Sequence, residues 1–133
     1  MSTVFLDSVG LIALWNTSDQ WHAPAQQAYS TLRTSRLDFV TTRYVLLECG
    51  NAVARTALRA EVTRLRMSLA NSGKLIDPTE DDWKNAWIAY DNGKPGEPGI
   101  VDSVSFAVMR RLGLRQAFTN DRHFTAAGFE TLF

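Results

Sequence analysis

The sequence contains a single cysteine, Cys49, among its 133 residues. One thiol excludes an intramolecular disulfide framework and any zinc finger built on paired thiolates. Histidine is nearly as scarce, because only His22 and His123 are present and they have no His-x-x-x-His spacing. No apolar run approaches the ~20 residues that a membrane helix needs. We therefore expect a cytoplasmic protein that folds without disulfides and does not enter a membrane.

The length and composition indicate one globular domain. A chain of 133 residues has the usual size of a domain, and 45% hydrophobic with 21% charged residues is typical of globular rather than disordered proteins. A chain of this length buries enough surface to be stable without a structural metal. We therefore expect residues 1–133 to form a single domain.

Lysine is rare and arginine is abundant, although the formal net charge is zero. Eleven of the 14 basic residues are arginine, whose planar guanidinium suits bidentate contacts with phosphate. Residues 33–66 contain seven arginines and three acids, whereas residues 77–102 contain seven acids and two lysines. The basic segment is consistent with local binding of a polyanion, and a solvated helix face is an equally good interpretation.

Short apolar strands alternate with helices along the chain. The strands are predicted at residues 3–7, 38–41, 75–76, 116–119 and 130–133. The helices are predicted at residues 11–15, 22–34, 43–55, 58–70, 79–90 and 101–112, and a Gly- and Pro-rich loop at 92–99. This alternation indicates an α/β fold with a mainly parallel sheet, in which ligands bind at the carboxyl ends of the strands.

Four acidic residues occupy positions that favour a shared site. Asp7 and Asp121 follow predicted strands, and Asp102 opens the helix after the Gly/Pro loop. Glu48 lies in the apolar run 44–50, where an isolated carboxylate has to pair, protonate or bind a metal. Taken singly, the three aspartates are also good helix N-caps, and Glu48 faces solvent if the helix phase differs by one residue.

Four clustered carboxylates repel one another, and a hard divalent cation removes that repulsion. Mg²⁺ or Mn²⁺ takes oxygen ligands, lowers the pKa of bound water and stabilises the charge on a phosphate that undergoes substitution. This chemistry needs no histidine base. His123 lies close to Asp121 in the sequence, and a structural role is favoured over contact with substrate.

Four segments of the chain resemble the PIN domain, and more narrowly the VapC-type toxin ribonucleases. They are the strand that ends in Asp7-Ser8, the helix around Glu48, the helix start Val101-Asp102-Ser103, and the segment from Phe118 to Phe124. The last segment, FTNDRHF, is followed by Ala-Gly-Phe and is the most specific of the four. The resemblance covers nearly the whole chain.

The resemblance implies a PIN-like three-layer α/β sandwich and Mg²⁺- or Mn²⁺-dependent endonucleolytic cleavage of RNA. It also implies a homodimer that is inhibited by a small cognate antitoxin protein. The implied catalytic and metal-binding residues are Asp7, Glu48, Asp102 and Asp121, of which Asp7 and Asp102 are direct ligands. The residues expected to contact substrate, a ligand water or a carboxylate are Ser8, Thr119 and Arg122.

In the expected mechanism, single-stranded or looped RNA crosses the acidic cleft and activated water attacks in line. The products carry a 5′-phosphate and a 3′-hydroxyl. Flanking phosphates would be contacted by some of six arginines, which position the RNA without reading its sequence. These are Arg55, Arg59, Arg64, Arg110, Arg111 and Arg122.

Several alternatives share parts of this pattern. A PIN nuclease of RNA processing that is not a toxin, or a catalytically silent PIN-like binding module, would have the same fold. A metal-dependent enzyme acting on DNA or on small phosphoesters would use the same acids. A phosphoacceptor receiver domain is disfavoured because no lysine follows Asp102. The approach to Asp102 also departs from many relatives, since Pro98-Gly99-Ile100-Val101 contains no serine or threonine.

Overall fold

Strands and helices alternate in the computed structural model, which describes residues 3–133. The strands are β1 (Thr3–Leu6), β2 (Asp38–Thr42), β3 (Leu75–Ile76), β4 (Gln116–Phe118) and β5 (Glu130–Thr131). The helices are α1 (Ser8–Trp15), α2 (His22–Thr34), α3 (Arg43–Ala52), α4 (Arg59–Asn71), α5 (Glu80–Asp91), α6 (Ile100–Leu112) and α7 (Arg122–Ala126). Across these described residues, no helix is both long enough and apolar enough to span a bilayer.

The five strands form one parallel sheet in the order β3-β2-β1-β4-β5. β1 is central, and its Phe5 pairs with Val40 of β2 and Ala117 of β4. The carboxyl ends of these strands therefore lie at the same edge of the sheet. Leu6 pairs with Phe118, so the residues that follow each of them, Asp7 and Thr119, are neighbours at that edge.

The core explains why β1 is apolar along its length. Helices cover both faces of a parallel sheet, so its central strand has no solvent-facing side, and Val4, Phe5 and Leu6 are all buried. On the helical side, α6 buries Val104 and Val108 and packs along α5. α6 ends at Gly113, whose φ of 69° is a left-handed conformation that suits glycine. The α/β fold with a parallel sheet is confirmed.

Most element boundaries agree with the sequence prediction, and the exceptions are short or lack a clear pattern. α2 and β3 have the predicted bounds. α1 begins at Ser8 instead of residue 11, because the helix starts directly after the extended Asp7. α3 ends at Ala52 instead of residue 55, where the Thr56 hydroxyl donates to the Val53 carbonyl in a turn. α7 was not predicted, since five residues are too few to show a helical period.

Gly10 allows α1 to pack directly against the end of β4. A Cβ atom at this position would lie 2.0 Å from the carbonyl oxygen of Phe118, which is a backbone atom and cannot rotate away. Gly50 is also inside a helix, but a Cβ atom there would meet no atom within 4 Å. The two glycines therefore differ in packing and not in helix propensity.

We predict that Gly10→Ala destabilises the protein by roughly 1–3 kcal/mol or more, because α1 must move away from β4 to make room for the methyl group. Gly50→Ala is the matched control, and it should leave stability unchanged or raise it by up to about 1 kcal/mol. Urea unfolding of the three proteins checks this. Equal stabilities of the two variants would show that α1 does not depend on this close approach.

Candidate active site

Four acidic residues that are distant in the sequence meet at the carboxyl edge of the sheet. Asp7 follows β1 and is only 1% exposed. Asp121 follows β4 and caps α7, while Asp102 lies in the first turn of α6. Glu48 lies in α3 and is half-buried. An oxygen of Asp102 and one of Asp121 lie within 4.8 Å of each other, so at least these two carboxylates can share one cation.

The Thr119 hydroxyl connects two of these acids. It donates a 2.8 Å hydrogen bond to Asp7 Oδ2 and accepts a 3.1 Å hydrogen bond from the backbone N–H of Asp121. Thr119 has no exposed surface. It therefore orients the Asp7 carboxylate and the start of α7 from the buried side of the site. Its hydroxyl does not reach the solvent-exposed side of the site in this structure.

Glu48 is oriented by a hydroxyl from another helix. Ser8 Oγ, at the start of α1, donates a 3.0 Å hydrogen bond to Glu48 Oε1. The phase of α3 turns Leu47 outward, with 62% of its surface exposed, and buries Cys49 on the opposite side. Glu48 lies between these two directions. The expectation of a carboxylate enclosed by apolar residues is therefore corrected, since Glu48 is half-buried and already hydrogen-bonded.

The N-cap interpretation of the three aspartates applies fully to only one of them. Asp121 accepts a 2.9 Å hydrogen bond from the backbone N–H of His123, as a capping side chain does. Asp7 has the N-cap position of α1 but its side chain makes no capping hydrogen bond. The N-cap of α6 is Gly99, so Asp102 lies inside the first turn and does not open the helix. Capping therefore leaves the Asp7 and Asp102 carboxylates unexplained.

Burial and mutual repulsion make two of these acids weak. Burial raises the pKa of Asp7 to about 7, with further contributions from Asp102 and Asp121, although the Thr119 hydrogen bond opposes the shift. Burial also raises the pKa of Asp102 to about 6, helped by the charges of Asp121 and Glu48 and opposed by that of His123. These mutual effects show that the four carboxylates share one electrostatic environment.

Cys49 forms part of the buried side of this environment. The residue is fully buried, and burial together with the nearby carboxylates of Asp7 and Glu48 raises the pKa of the Cys49 thiol to about 12. A thiol that stays protonated is a poor nucleophile. Cys49 therefore has a packing role and no direct part in chemistry.

His123 lies close to Asp121, as its place in the sequence indicates, and also close to Asp102, which the sequence did not predict. Its Nδ1 lies 3.4 Å from Asp121 Oδ1 and 3.7 Å from Asp102 Oδ2. Its Nε2 lies 3.0 Å from the carbonyl oxygen of Gly96, in the loop between α5 and α6. The only signal in the sequence was the place of His123 two residues after Asp121, because its approach to Asp102 depends on tertiary packing.

Several of the six arginines expected to contact RNA are engaged within the protein. Arg111 donates to both carboxylate oxygens of the buried Asp82, at 3.1 and 2.9 Å. Arg110 donates to the Ala127 carbonyl and lies over two aromatic rings. Arg59 donates to the Ala54 carbonyl, and Arg64 is paired with Glu61. Arg55 and Arg122 are exposed and have no side-chain partner among the described residues.

Comparisons with known proteins identify relatives that cover almost the whole chain. No family model matches the sequence. The chain is 30% identical over 127 residues to the 23S rRNA-specific endonuclease VapC20 of two Mycobacterium tuberculosis strains, and the alignment covers 95% of each protein. The crystal structure of M. tuberculosis VapC20, described as a sarcin–ricin loop cleaving toxin, has a TM-score of 0.80 at 29% identity, with 95% of each chain covered.

A more distant structure shares the fold. PAE2754 from Pyrobaculum aerophilum has a TM-score of 0.61 at 18% identity and covers 99% of this chain and 92% of its own. The VapC20 alignment extends over nearly the full length of both proteins, and its structure superposes on this one over 95% of each chain with a TM-score of 0.80. The resemblance found in the sequence is therefore confirmed, and the chain belongs to the VapC family of PIN-domain endoribonuclease toxins.

Proposed function

We propose that this protein hydrolyses RNA phosphodiester bonds with the help of Mg²⁺ or Mn²⁺ bound at the acidic site. The observation that carries the proposal is the convergence of four acids from separate elements at the carboxyl edge of the sheet, in a chain of the VapC family. We assign the catalytic and metal-binding roles to Asp7, Glu48, Asp102 and Asp121. Of these, Asp7 and Asp102 are the proposed direct ligands.

The donor set fits a hard divalent cation. The four side chains offer only carboxylate oxygens, which are the ligands that Mg²⁺ and Mn²⁺ prefer. Within residues 3–133, no lysine or arginine forms an ion pair with any of the four. The raised pKa values of Asp7 and Asp102 indicate negative charge that the protein leaves uncompensated. A bound divalent cation would supply that compensation and would favour the ionised carboxylates.

The protein contributes to hydrolysis mainly by holding groups in place. When bound, the cation lowers the pKa of a coordinated water and stabilises the charge that develops on the phosphate. Thr119 fixes the orientation of Asp7, and Ser8 fixes that of Glu48. These hydroxyls are already committed to carboxylates, so we assign them positioning roles. In-line displacement at phosphorus then gives a 5′-phosphate and a 3′-hydroxyl.

We propose a loop of 23S ribosomal RNA as the substrate. The support is the similarity to VapC20, which is named as a 23S rRNA-specific endonuclease and whose structure is described as that of a sarcin–ricin loop cleaving toxin. A ribosomal substrate would place the activity in the cytoplasm. Transfer RNA is the competing substrate class, and the cleavage assay below distinguishes the two.

Protein partners are the other part of the proposed toxin function. We propose that the chain forms a homodimer and is inhibited by a small cognate antitoxin. Exposed apolar side chains support the existence of protein contacts, since Trp87, Ile88 and Tyr90 on α5 and Leu47 beside Glu48 are between 46% and 62% exposed. The family relationship supports the antitoxin. The complete set of four acids favours an active enzyme over a catalytically silent binding module.

We predict that Asp102→Asn lowers RNA cleavage by roughly 100-fold or more, because one proposed ligand loses its charge. EDTA should abolish wild-type cleavage, and added Mg²⁺ or Mn²⁺ should restore it. Asp38→Asn is the matched control, since Asp38 lies at the amino end of β2, away from the acidic edge.

The assay uses a sarcin–ricin loop RNA, a transfer RNA and single-stranded DNA, with products separated on a gel. Cleavage that persists in EDTA, or in Asp102→Asn at the wild-type rate, would contradict the metal mechanism. Cleavage of transfer RNA alone would replace the ribosomal substrate. Preferential cleavage of DNA would show that the substrate is DNA and would contradict the proposed ribonuclease activity.

We predict that the metal-free protein becomes less stable as the pH rises from about 4 to about 8. The unfolded chain ionises these aspartates near their ordinary pKa of 3.8, whereas in the folded protein the pKa is about 7 for Asp7 and about 6 for Asp102. Between these values the folded state binds more protons, so the free energy of unfolding falls by up to about 1.4 kcal/mol per pH unit for each group.

Urea unfolding in EDTA at several pH values measures this slope. Asp7→Asn should have a distinctly shallower slope, whereas Asp38→Asn should keep the wild-type slope. Addition of Mg²⁺ at about pH 8 should raise wild-type stability. Identical slopes for wild type and Asp7→Asn would show that ionisation of Asp7 does not destabilise the folded protein.

We predict that Arg122→Ala weakens RNA binding about 3- to 10-fold, because Arg122 is exposed beside the acidic cluster and is free to contact a phosphate. The slope of log affinity against log salt concentration should become shallower by about one, which is the change expected when one phosphate contact is lost. Arg115→Ala is the control, since Arg115 is also exposed but precedes β4 at the opposite edge of the sheet. Equal effects of the two variants on fluorescence-anisotropy binding curves would contradict this role.

A further inference from the structure

The two ring nitrogens of His123 face different groups: Nε2 contacts the loop between α5 and α6, and Nδ1 faces the acidic cluster. Nε2 lies 3.0 Å from the carbonyl oxygen of Gly96. A carbonyl only accepts hydrogen bonds, so Nε2 must carry a proton and donate it. In a neutral ring Nδ1 is then unprotonated, and its lone pair lies 3.4 Å from Asp121 Oδ1 and 3.7 Å from Asp102 Oδ2.

The distances around Nδ1 suit a shared cation better than direct hydrogen bonds. Hydrogen bonds from nitrogen to oxygen are usually about 2.7–3.2 Å long, and both separations are longer. Two ligand atoms about 2.1 Å from an octahedral ion are about 3.0 Å apart in adjacent positions and about 4.2 Å apart in opposite positions. The 3.4 and 3.7 Å separations lie between these two values, and one ligand atom from each of Asp102, Asp121 and His123 lies within 4.8 Å of the other two. An ion therefore requires only small movements of these side chains.

The hydrogen bond from Nε2 is the second observation that points to a ligand. Histidines that bind metals almost always donate the other ring N–H to a carbonyl or carboxylate, which fixes the tautomer and the ring orientation. The Gly96 carbonyl performs this function here. Its loop has a defined shape, since the backbone N–H of Lys94 donates to Glu97 Oε2 and the backbone N–H of Glu97 donates to the Lys94 carbonyl.

We propose that His123 Nδ1 and an Asp121 oxygen bind the divalent cation directly, in addition to the proposed ligands Asp7 and Asp102, and that the histidine nitrogen makes the site prefer Mn²⁺ over Mg²⁺. The inference rests on the proposed metal-dependent function. Mg²⁺ takes oxygen ligands almost exclusively, whereas imidazole binds better to transition-metal ions. A purely carboxylate site would lack this basis for selectivity.

One competing arrangement uses the same atoms without a cation. A doubly protonated His123 would donate from Nδ1 towards both carboxylates as an ion pair. The two arrangements predict opposite effects when the ring is removed. Loss of a ligand weakens cation binding, whereas loss of a positive charge from an acidic site strengthens it.

The test compares His123→Gln with wild type and with His22→Gln. His22 is the matched control because it is the other histidine of the chain, and its Nδ1 lies 3.0 Å from a carbonyl oxygen, that of Ala13. Isothermal titration calorimetry gives the affinities for Mn²⁺ and for Mg²⁺. Pulsed electron paramagnetic resonance of the Mn²⁺-bound protein detects a directly coordinated ¹⁴N nucleus.

We expect ¹⁴N coupling in wild type and in His22→Gln, and its loss in His123→Gln. The Mn²⁺ affinity of His123→Gln should fall about 10- to 100-fold, and its Mg²⁺ affinity by less than about threefold. An absence of ¹⁴N coupling in wild type, or unchanged or tighter Mn²⁺ binding in His123→Gln, would overturn the inference. Equal losses for the two metals would also overturn it, because they would assign His123 only to tethering the loop.

The outcome separates this inference from the proposed function. If wild type binds both cations and cleaves RNA but shows no ¹⁴N coupling, only the role of His123 fails. If wild type binds neither cation, the metal-dependent function itself fails.

Discussion

Burial of a carboxylate that has no cationic partner is the constraint on which the rest of this structure depends. Asp7 directly follows the central strand and is 1% exposed, and the parallel register places the end of β4 beside it. The buried Thr119 hydroxyl supplies a hydrogen bond to Asp7, but no described cationic side chain pairs with it. The fold therefore keeps an unfavourable charge in place, and the free energy for this comes from the packing of the rest of the domain.

A second buried acid, Asp82, differs from Asp7 because a cationic side chain is paired with it. Asp82 is 2% exposed and receives two hydrogen bonds from Arg111, and it also completes the capping box of α5 with Thr79. Every oxygen of Asp82 is thus satisfied by the protein. Asp7 is equally buried but lacks an arginine. The two buried acids therefore differ in whether a cationic side chain lies beside them.

The sequence was sufficient for the fold class and for the placement of Asp7 and Asp121 after strands, because both depend on local patterns. Apolar strands that alternate with helices predict a parallel sheet, and Asp7 and Asp121 follow such strands. The strand order and the phase of Glu48 depend on tertiary packing and could not be obtained in this way. His123 shows the limit most clearly, since it meets Asp102 only because the loop around Gly96 folds back onto α7.

Cys49 has a consequence for how the protein tolerates oxidising conditions. The sulfur is buried beside the site, and it keeps its proton because burial disfavours a thiolate and the carboxylates of Asp7 and Glu48 disfavour it further. Peroxide, disulfides and alkylating reagents all require an accessible thiolate. The one sulfhydryl of this family member is thus chemically silent while the domain is folded, and oxidative stress has no direct route through it to alter the toxin.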